Sequence, residues 1–480
     1  AFLYSIYLFV ILQKEKKYYN ALQIEFASLP REPDEEEEFA EFCGHFEEVC
    51  EEVLIVVNSC GVLNPVAEKA ILCCFEENPR GKLLYADEDV CIGREGDLET
   101  FRQRGVKLSE RCYPNLKPMP SPETFLSYQY LGNVWAVRTE LCKEIEWPAD
   151  CDKKQAEYVF LLNVWEKAGI SGILHLPEIL YHKFELRRKH ESGSFYSREE
   201  MERVLRDEDF YEGNEPGYNT IKEAYCHRQD IECKMKAEDG HSYPVYPVPA
   251  ETLVSILIPS KDNPEVLSKC ISSIYEKSTY KKFEIVVVDN GSNEQNKAII
   301  EKMKEEYPFT YLYRPMDFNY SKMNNIASKE AKGDVLLLLN DDMEVVTPDW
   351  LERMVGQLLQ PGIGAVGAKL LYPDSTLIQH VGITNAVDGP VHKLLRKDDT
   401  ASYNHGRNKL VYNVIGVTGA CLMVRKSDFE RLGGLKEDLR VAYNDVDLCF
   451  SLYEAGLRNV IRNDVILYHH ESLSRGADIM

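Results

Sequence analysis

Three short apolar runs in the second half of the chain each end in groups able to bind a ligand or move a proton. Residues 253–258 (LVSILI) lead into Pro259-Ser260-Lys261-Asp262, residues 285–288 (IVVV) into Asp289-Asn290-Gly291-Ser292, and residues 335–339 (VLLLL) into Asn340-Asp341-Asp342. Taken singly, each cluster has an ordinary explanation. Asp or Asn followed by Gly makes turns widely, and Asp341-Asp342 could simply lead into the next helix. Adjacent carboxylates directly after four leucines are harder to dismiss. Anions at the end of a buried strand repel one another unless a cation or hydrogen-bond donors sit between them. A divalent ion bridging to a pyrophosphate supplies that charge, and hard oxygen ligands suit magnesium or manganese. The sequence has no G-x-G-x-x-G or Walker loop, so metal, not a glycine nest, would hold the phosphates.

Two further groups stand near the end of the chain. Asn444-Asp445-Val446-Asp447 precedes the helical stretch 448–456. Its plain reading is an N-cap followed by acids stabilised by the helix dipole, but a helix start is also a rigid platform for a functional carboxylate. His469-His470-Glu471 follows the strand-like VILY. It reads equally as a partly exposed imidazole pair or as metal ligands.

The elements that position these groups are legible. LVSILI, FEIVVV and VLLLL are continuous apolar runs, as expected of parallel strands buried on both faces. Helical spacing occupies 264–277, 293–307 and 321–331 between them, with a short strand at 311–313. Repeated strand-helix-strand units imply an α/β fold, a mostly parallel sheet with helices on both faces. In such sheets ligands bind at the carboxyl ends of the strands, where all three clusters would crowd one edge.

Composition sets the outer limits. A chain of 480 residues suggests two to four domains. The net charge of −23 repels phosphate backbones, and the basic clusters KEKK (14–17) and RRKH (187–190) are short, so nucleic acid is excluded as a partner. The 14 cysteines show no C-x-x-C pair or metal-site spacing, and a reducing cytoplasm is the simpler compartment, with peripheral association at the inner membrane face left open. The apolar segment 1–12 is too short to span a bilayer, which takes about 20 residues. It suits a buried strand or the stub of a longer segment. Residues 30–52 are acidic, and 201–250 read as a polar, proline-rich linker before a domain at 251–480.

Residues 253–476 resemble the family 2 glycosyltransferases with the GT-A fold, particularly their rhamnosyltransferase-like branch. The similar stretches are VSILIPSKDN, FEIVVVDNGS, FNYSKMNNIA, GDVLLLLNDDMEVVTPDWLE, IGAVGAKLLYPD, TGACLMVRKSDFERLGGL, AYNDVDLCFSLYEAGLRNV and LYHHESLSRG, in family order. The resemblance implies that Asp289 contacts the nucleotide base beside Pro259 and Lys261. Asn340-Asp341-Asp342 falls on the family's D-x-D position, with Asp342 on Mn2+ or Mg2+ and Asp341 on ribose or metal. It implies that Asp445 is the catalytic base, that His470 is an additional metal ligand and that Asn325 belongs to the nucleotide-sugar site. The activity implied is inverting, metal-dependent transfer from a nucleotide-diphosphate sugar to a hydroxyl of a glycan or lipid-linked glycan, in bacterial surface polysaccharide synthesis. The Q-x-x-R-W motif and membrane helices of processive synthases are missing, so one sugar per encounter is expected.

The first half resembles the same family more faintly, in PSPETFLSYQYLGNVWAVRTELC and HLPEILYHKF. Its strand VLIVV leads into Asn58-Ser59-Cys60-Gly61 where a D-x-D belongs, and Val159 replaces an aspartate after Glu157. Asp87-Glu88-Asp89 matches a family stretch downstream of the metal motif and is no substitute for it. Residues 1–200 are therefore expected to be a degenerate GT-A-like domain without catalysis, and the closing SRGADIM stops where relatives continue. The rival readings are a glycan- or protein-binding pseudo-enzyme and a sugar-phosphate nucleotidyltransferase. The latter needs a glycine-rich basic loop that PSKDN does not provide. Donor, acceptor and oligomeric state have no readable motif.

Overall fold

The computed structural model describes residues 6–11, 21–24, 52–58, 60–145, 153–207, 213–387 and 389–470. The acidic stretch 30–51 and the closing residues 471–480 lie outside these. The chain forms two units, Ala1–Tyr225 and Cys226–Met480. The boundary falls inside 201–250, and that stretch is folded: it holds the helix Asn219–Arg228 and the antiparallel strands β9 (Lys234–Glu238) and β10 (His241–Val245).

The second unit is built on β11 (Val254–Ser260), β12 (Phe283–Asp289), β13 (Thr310–Tyr313), β14 (Val335–Leu339), β15 (Met343–Val345), β16 (Ile363–Leu371), β21 (Cys421–Arg425) and β22 (Arg458–His469), in the spatial order β13-β12-β11-β14-β21-β16-β22-β15. Between β16 and β21 run β17 (Ile378–His380), β18 (Ile383–Ala386), β19 (Gly389–His392) and β20 (Val411–Val414); β17 pairs with β16 and β20 with β22. Strands β11 to β14 are parallel, which confirms the α/β reading and puts their carboxyl ends on one edge. Every residue of β11 and β14 is buried, so their apolar runs face protein on both sides. Helices Pro264–Lys277 and Trp350–Leu358 bring Ile271, Ile274, Trp350 and Met354 into one core with Ile256, Val287 and Leu337.

The β9–β10 hairpin is pinned to this sheet by buried charge. The Arg462 guanidinium forks onto Asp464 at 2.8 and 2.6 Å and donates to the Pro244 carbonyl at 2.9 Å. Arg353 bridges Asp464 (3.0 Å) to Glu238 (2.6 and 2.7 Å). Tyr243 of β10 sits in the core.

In the first unit, β1 (Ile6–Ile11), β2 (Ala21–Ile24), β3 (Val53–Asn58), β4 (Gly61–Leu63), β5 (Leu83–Gly93), β7 (Val134–Arg138) and β8 (Ile173–Leu186) are ordered β2-β1-β3-β7-β5-β8-β4, with β6 (Arg111–Asn115) on β5. The segment β3-β7-β5-β8-β4 repeats β14-β21-β16-β22-β15 in order and direction: antiparallel, antiparallel, parallel, antiparallel. The registers agree as well. Val53 faces Arg138 as Val335 faces Arg425, and each arginine donates to carbonyls at the end of a helix, Phe75 in one unit and Leu358 in the other. Beyond β3 the units differ, since β1 pairs antiparallel to β3 whereas β11 is parallel to β14.

Replacing Asp464 by Asn takes the carboxylate from the fully buried Arg462, while Arg353 keeps Glu238 and Asp349, and should lower stability by about 3–5 kcal/mol. Burial alone would raise the Asp464 carboxyl, but Arg462 and Arg353 outweigh it and hold it below its ordinary range. Its contribution is therefore complete above the unfolded-state carboxylate value and is lost as pH falls through the lower folded value. Urea midpoints from pH 7 into the acid range check this; equal midpoints for the two proteins at neutral pH would refute it.

Candidate functional site

At the shared edge the three parallel strand ends are tied to one another. The Ser260 hydroxyl, last in β11, donates to Asp341 Oδ2 at 2.6 Å, joining β11 to the turn after β14. The amide of Asn290 donates to the Ser260 carbonyl at 3.3 Å, and the amide of Asp262 donates to Ser292 Oγ at 2.8 Å, joining β11 to the turn after β12. Asp289 is fully buried, 0% exposed. Its Oδ1 accepts the Gly291 and Ser292 amides at 2.8 Å each, and its Oδ2 accepts the Tyr311 hydroxyl at 2.5 Å. Burial and the bond to Asp289 raise the Tyr311 phenol above its ordinary range. Asp289 thus shapes the loop 289–292 from beneath. Pro259 is buried within β11 and Lys261 is exposed on the loop after it.

Asp342 meets an imidazole at the same edge. Its Oδ1 lies 3.1 Å from Nε2 of His469, the last residue of β22. Nδ1 of His469 lies 2.6 Å from Gln379 Oε1, an amide oxygen that can only accept, so Nδ1 is the donor of that bond. Nε2 then presents a lone pair, which meets the Asn340 amide at 3.3 Å. His470, chosen from the sequence, goes elsewhere: its Nε2 pairs with Glu344 at 3.2 Å, and only its backbone N–H, bonded to the Asp342 carbonyl at 2.9 Å, touches the acidic turn. The reason is the period of two along a strand. Leu467 and His469 share a face, and the ladder sets His469 opposite Met343. That alternation after the buried Val465 and Leu467 was the available signal.

Asp445 sits in the first turn of the helix Asn444–Glu454, half-buried, with Oδ2 accepting the Gly419 amide at 2.8 Å and Oδ1 the Val446 amide at 2.8 Å. The neighbouring acid, Asp447, is ion-paired to Lys436 at 2.5 Å. The helix is entered through Tyr443, whose φ of 63° is left-handed, a strained choice for a non-glycine residue. Gly419 is a close-approach position: a Cβ there would lie 3.0 Å from the Tyr320 hydroxyl and 3.4 Å from the Asp445 Cβ. Its turn is shared with the acidic edge, because the Asn340 amide donates to the Ala420 carbonyl at 3.1 Å.

Asn325 serves the approach to that helix. Its Nδ2 donates to the Leu435 carbonyl at 2.8 Å and its Oδ1 accepts the Leu435 amide at 2.9 Å. Asn319 and Ser321 hold the carbonyls of Glu437 and Leu439 from the same helix, Tyr320–Glu330. Gly434 makes room for Asn325, since a Cβ would fall 2.6 Å from its Oδ1.

Chemically, the edge offers one carboxylate oxygen and one imidazole nitrogen converging on a point, a second carboxylate fixed by a serine, and a separate carboxylate on a helix start. Among the described residues no group of three or more His, Cys, Asp and Glu side chains is arranged to hold a metal ion by itself. The donor set therefore fits a divalent ion completed by ligand oxygens and water. Among the described residues no helix is long and apolar enough to cross a membrane.

Residues 255–433 match the model of the family described as Glycosyl transferase family 2. An uncharacterized protein of Sinorhizobium fredii is 32% identical over 435 residues, covering 86% of this chain and 43% of its own length. The O-antigen biosynthesis protein RfbC of Myxococcus xanthus is 32% identical over 421 residues, 87% of this chain and 30% of its own. The chain thus spans less than half the length of these two relatives. An N-acetylglucosaminyl-diphospho-decaprenol L-rhamnosyltransferase of Mycobacterium tuberculosis is 26% identical over 220 residues, 42% of this chain and 71% of its own. Among solved structures, the mannosyltransferase PcManGT of Pyrobaculum calidifontis, in complex with GDP-Man and Mn2+, aligns with a TM-score of 0.37 at 19% identity over 50% of this chain and 62% of that one.

The Asn325 geometry separates two roles. Asn325→Ala strips partners from both backbone groups of Leu435 and should cost about 1–2 kcal/mol of stability, read by urea titration, with nucleotide affinity unchanged by calorimetry. Weakened nucleotide binding at unchanged stability would return Asn325 to the nucleotide site.

Proposed function

The second unit carries a family 2 glycosyltransferase domain, and on that footing we propose that the protein transfers one sugar from a nucleoside-diphosphate donor to a hydroxyl of a glycan or lipid-linked glycan, inverting the anomeric carbon, in assembly of a bacterial surface polysaccharide. The observation that carries this reading is the turn 418–420. One three-residue turn is bonded to Asn340 on the acidic edge and to Asp445 on the helix start, which supports assigning both to one site.

In this reading the nucleotide base lies over the loop that Asp289 holds, flanked by Pro259 and Lys261. Asp341, anchored by Ser260, meets ribose or metal. Asp342 and His469 would hold the divalent ion, with His469 in place of the His470 that the family resemblance implied. The mixed oxygen and nitrogen donors favour Mn2+ over Mg2+, which prefers oxygen ligands alone. The ion, when bound, neutralises charge on the departing diphosphate. Asp445 accepts the proton of the acceptor hydroxyl. The new bond to the anomeric carbon forms from the face opposite the phosphate oxygen, whose bond breaks. Asp447 is held by Lys436, which leaves Asp445 as the base.

We read the first unit as a non-catalytic copy. The shared registers set Val57 where the second unit has Leu339, and the sequence that follows reads Asn58-Ser59-Cys60 in place of Asn340-Asp341-Asp342. They set Lys183, opposite Gly61, where the second unit has His469 opposite Met343. Glu157 is spent on the Trp135 indole at 2.8 Å. In the sequence, neither a carboxylate pair nor an imidazole stands at the positions matching those proposed for the ion in the second unit.

Incubation with a panel of nucleotide sugars should release nucleoside diphosphate, faster with Mn2+ than with Mg2+. Asp445→Asn should lower kcat about a hundred- to ten-thousandfold at unchanged donor KM, while Glu157→Gln leaves turnover unchanged. Release that survives Asp445→Asn would remove the assigned base. Pyrophosphate formed from a nucleoside triphosphate would mean a nucleotidyltransferase, and neither turnover nor metal-dependent nucleotide binding would mean a binding module.

A further inference from the structure

Strand β17 contributes two buried polar side chains that the chemistry above does not use. Gln379 is 4% exposed and His380 0% exposed. They are sequence neighbours, yet their bonds go to opposite halves of the site.

Gln379 Oε1 takes Nδ1 of His469 at 2.6 Å. A neutral imidazole has one N–H, so placing it on Nδ1 fixes the lone pair on Nε2, the nitrogen 3.1 Å from Asp342 Oδ1. Had Nε2 carried the hydrogen, the ring would offer the metal edge a donor in place of a ligand. Partners that set the tautomer of a ligating histidine are worth about 10- to 100-fold in metal affinity.

His380 has no path to the metal edge through its own bonds. Its Nε2 accepts the Thr418 amide at 3.2 Å. Its Nδ1 therefore carries the hydrogen and donates to His392 Nδ1 at 2.9 Å. Burial, with His392 second, pushes the His380 imidazolium form far below its ordinary range, so the ring stays neutral and able to accept. Thr418 opens the turn whose next residue, Gly419, donates to Asp445. The turn is held at three points: His380 on the Thr418 amide, the Tyr320 hydroxyl on the Gly419 carbonyl at 2.7 Å, and Asn340 on the Ala420 carbonyl.

We propose that Gln379 and His380 are positioning residues with separable duties: Gln379 sets the His469 tautomer that receives the divalent ion, and His380 fixes the 418–420 turn that orients Asp445. This rests on the proposed function. The two duties make different measurable demands. Loss of Gln379 should weaken the ion and be recovered at high ion concentration. Loss of His380 should slow the chemical step with ion and donor binding intact.

The test uses the full chain with Gln379→Leu, Gln379→Glu, His380→Leu and His380→Gln. The glutamate keeps an acceptor for Nδ1–H and the glutamine keeps one for the Thr418 amide. Mn2+ affinity in the presence of a nucleoside diphosphate is read by the electron paramagnetic resonance of free Mn2+, and needs no turnover. Gln379→Leu should lose about 10- to 100-fold in Mn2+ affinity, with Gln379→Glu restoring most of it. His380→Leu should keep Mn2+ affinity and donor KM, lower kcat, and speed amide hydrogen exchange across 418–420, with His380→Gln restoring both. If His380→Leu does not fold, His380→Gln still decides: near-normal kcat and exchange support the assignment, and a kcat as low as that of Asp445→Asn overturns it. Unchanged Mn2+ affinity in Gln379→Leu, or equal losses of affinity and kcat in both leucine variants, also overturns the proposal. A wild-type protein that binds Mn2+ with nucleotide but transfers no sugar would sink the proposed function and leave the Gln379 assignment to stand or fall on affinity alone.

Discussion

Two adjacent carboxylates at the end of a strand buried on both faces are the constraint from which the rest of the second unit follows. Two like charges about 4 Å apart repel by about 4 kcal/mol at the effective dielectric of a protein edge. The structure answers by sending the neighbours to different strands. Asp341 accepts the Ser260 hydroxyl at the end of β11, and Asp342 Oδ1 is turned toward His469 at the end of β22. Both strands must then terminate at the level of the turn after Leu339, and the ladders set that level: Leu257 beside Leu338, and His469 opposite Met343. The apolar core supplies the registers, and the registers supply the polar contacts.

The same geometry explains why a mixed sheet suits this site better than a purely parallel one. β21 lies next to β14 and runs against it, with Cys421 opposite Leu339. An antiparallel neighbour begins where a parallel strand ends, so the turn leading into β21 is delivered to the edge where Asp341 and Asp342 emerge. The turn brings Gly419, and through it Asp445. A parallel strand in that place would bring its amino end to the far edge of the sheet. The left-handed Tyr443 belongs to the same requirement: the chain must bend sharply after Arg440 to start the helix with Asp445 under the Gly419 amide.

What was legible in the sequence followed from burial on both faces. LVSILI, FEIVVV and VLLLL could only be interior strands, and their polar ends could only share an edge. The helix start at Asn444 and the short strand at Thr310–Tyr313 were equally readable. The rest depended on long-range register, which local pattern does not encode. That His469 and not His470 lies against Asp342 follows from the pairing of β22 with β15. Asn325 carries no local sign that its amide will clamp Leu435, 110 positions on. Gln379 and His380 lie in a stretch, LIQHVG, whose polar residues look like those of any short edge strand. The 201–250 region misled by composition: its prolines and charges read as linker, whereas Arg353 and Arg462 tie part of it to the sheet as a hairpin.

The corresponding half-sheet of the first unit places its acids differently. It too buries acids, Asp87, Glu88 and Asp89, but in the body of β5 and each with a protein partner. His175 meets Asp87 at 2.8 Å, Lys117 meets Glu88 at 3.4 Å, and Arg111 and His182 meet Asp89 at 2.6 and 2.5 Å. Lys117 is fully enclosed, and burial lowers its ammonium from the ordinary range even with Glu88 beside it. Such a cluster is neutralised from within, and breaking any one pair would strand a buried charge. In the second unit Asp341 and Asp342 sit past the strand end, against the Ser260 hydroxyl and the His469 imidazole. The two half-sheets share their strand pairing; in one the carboxylates stand in mid-strand against lysine, arginine and histidine, and in the other they stand at a strand end against a serine and a histidine.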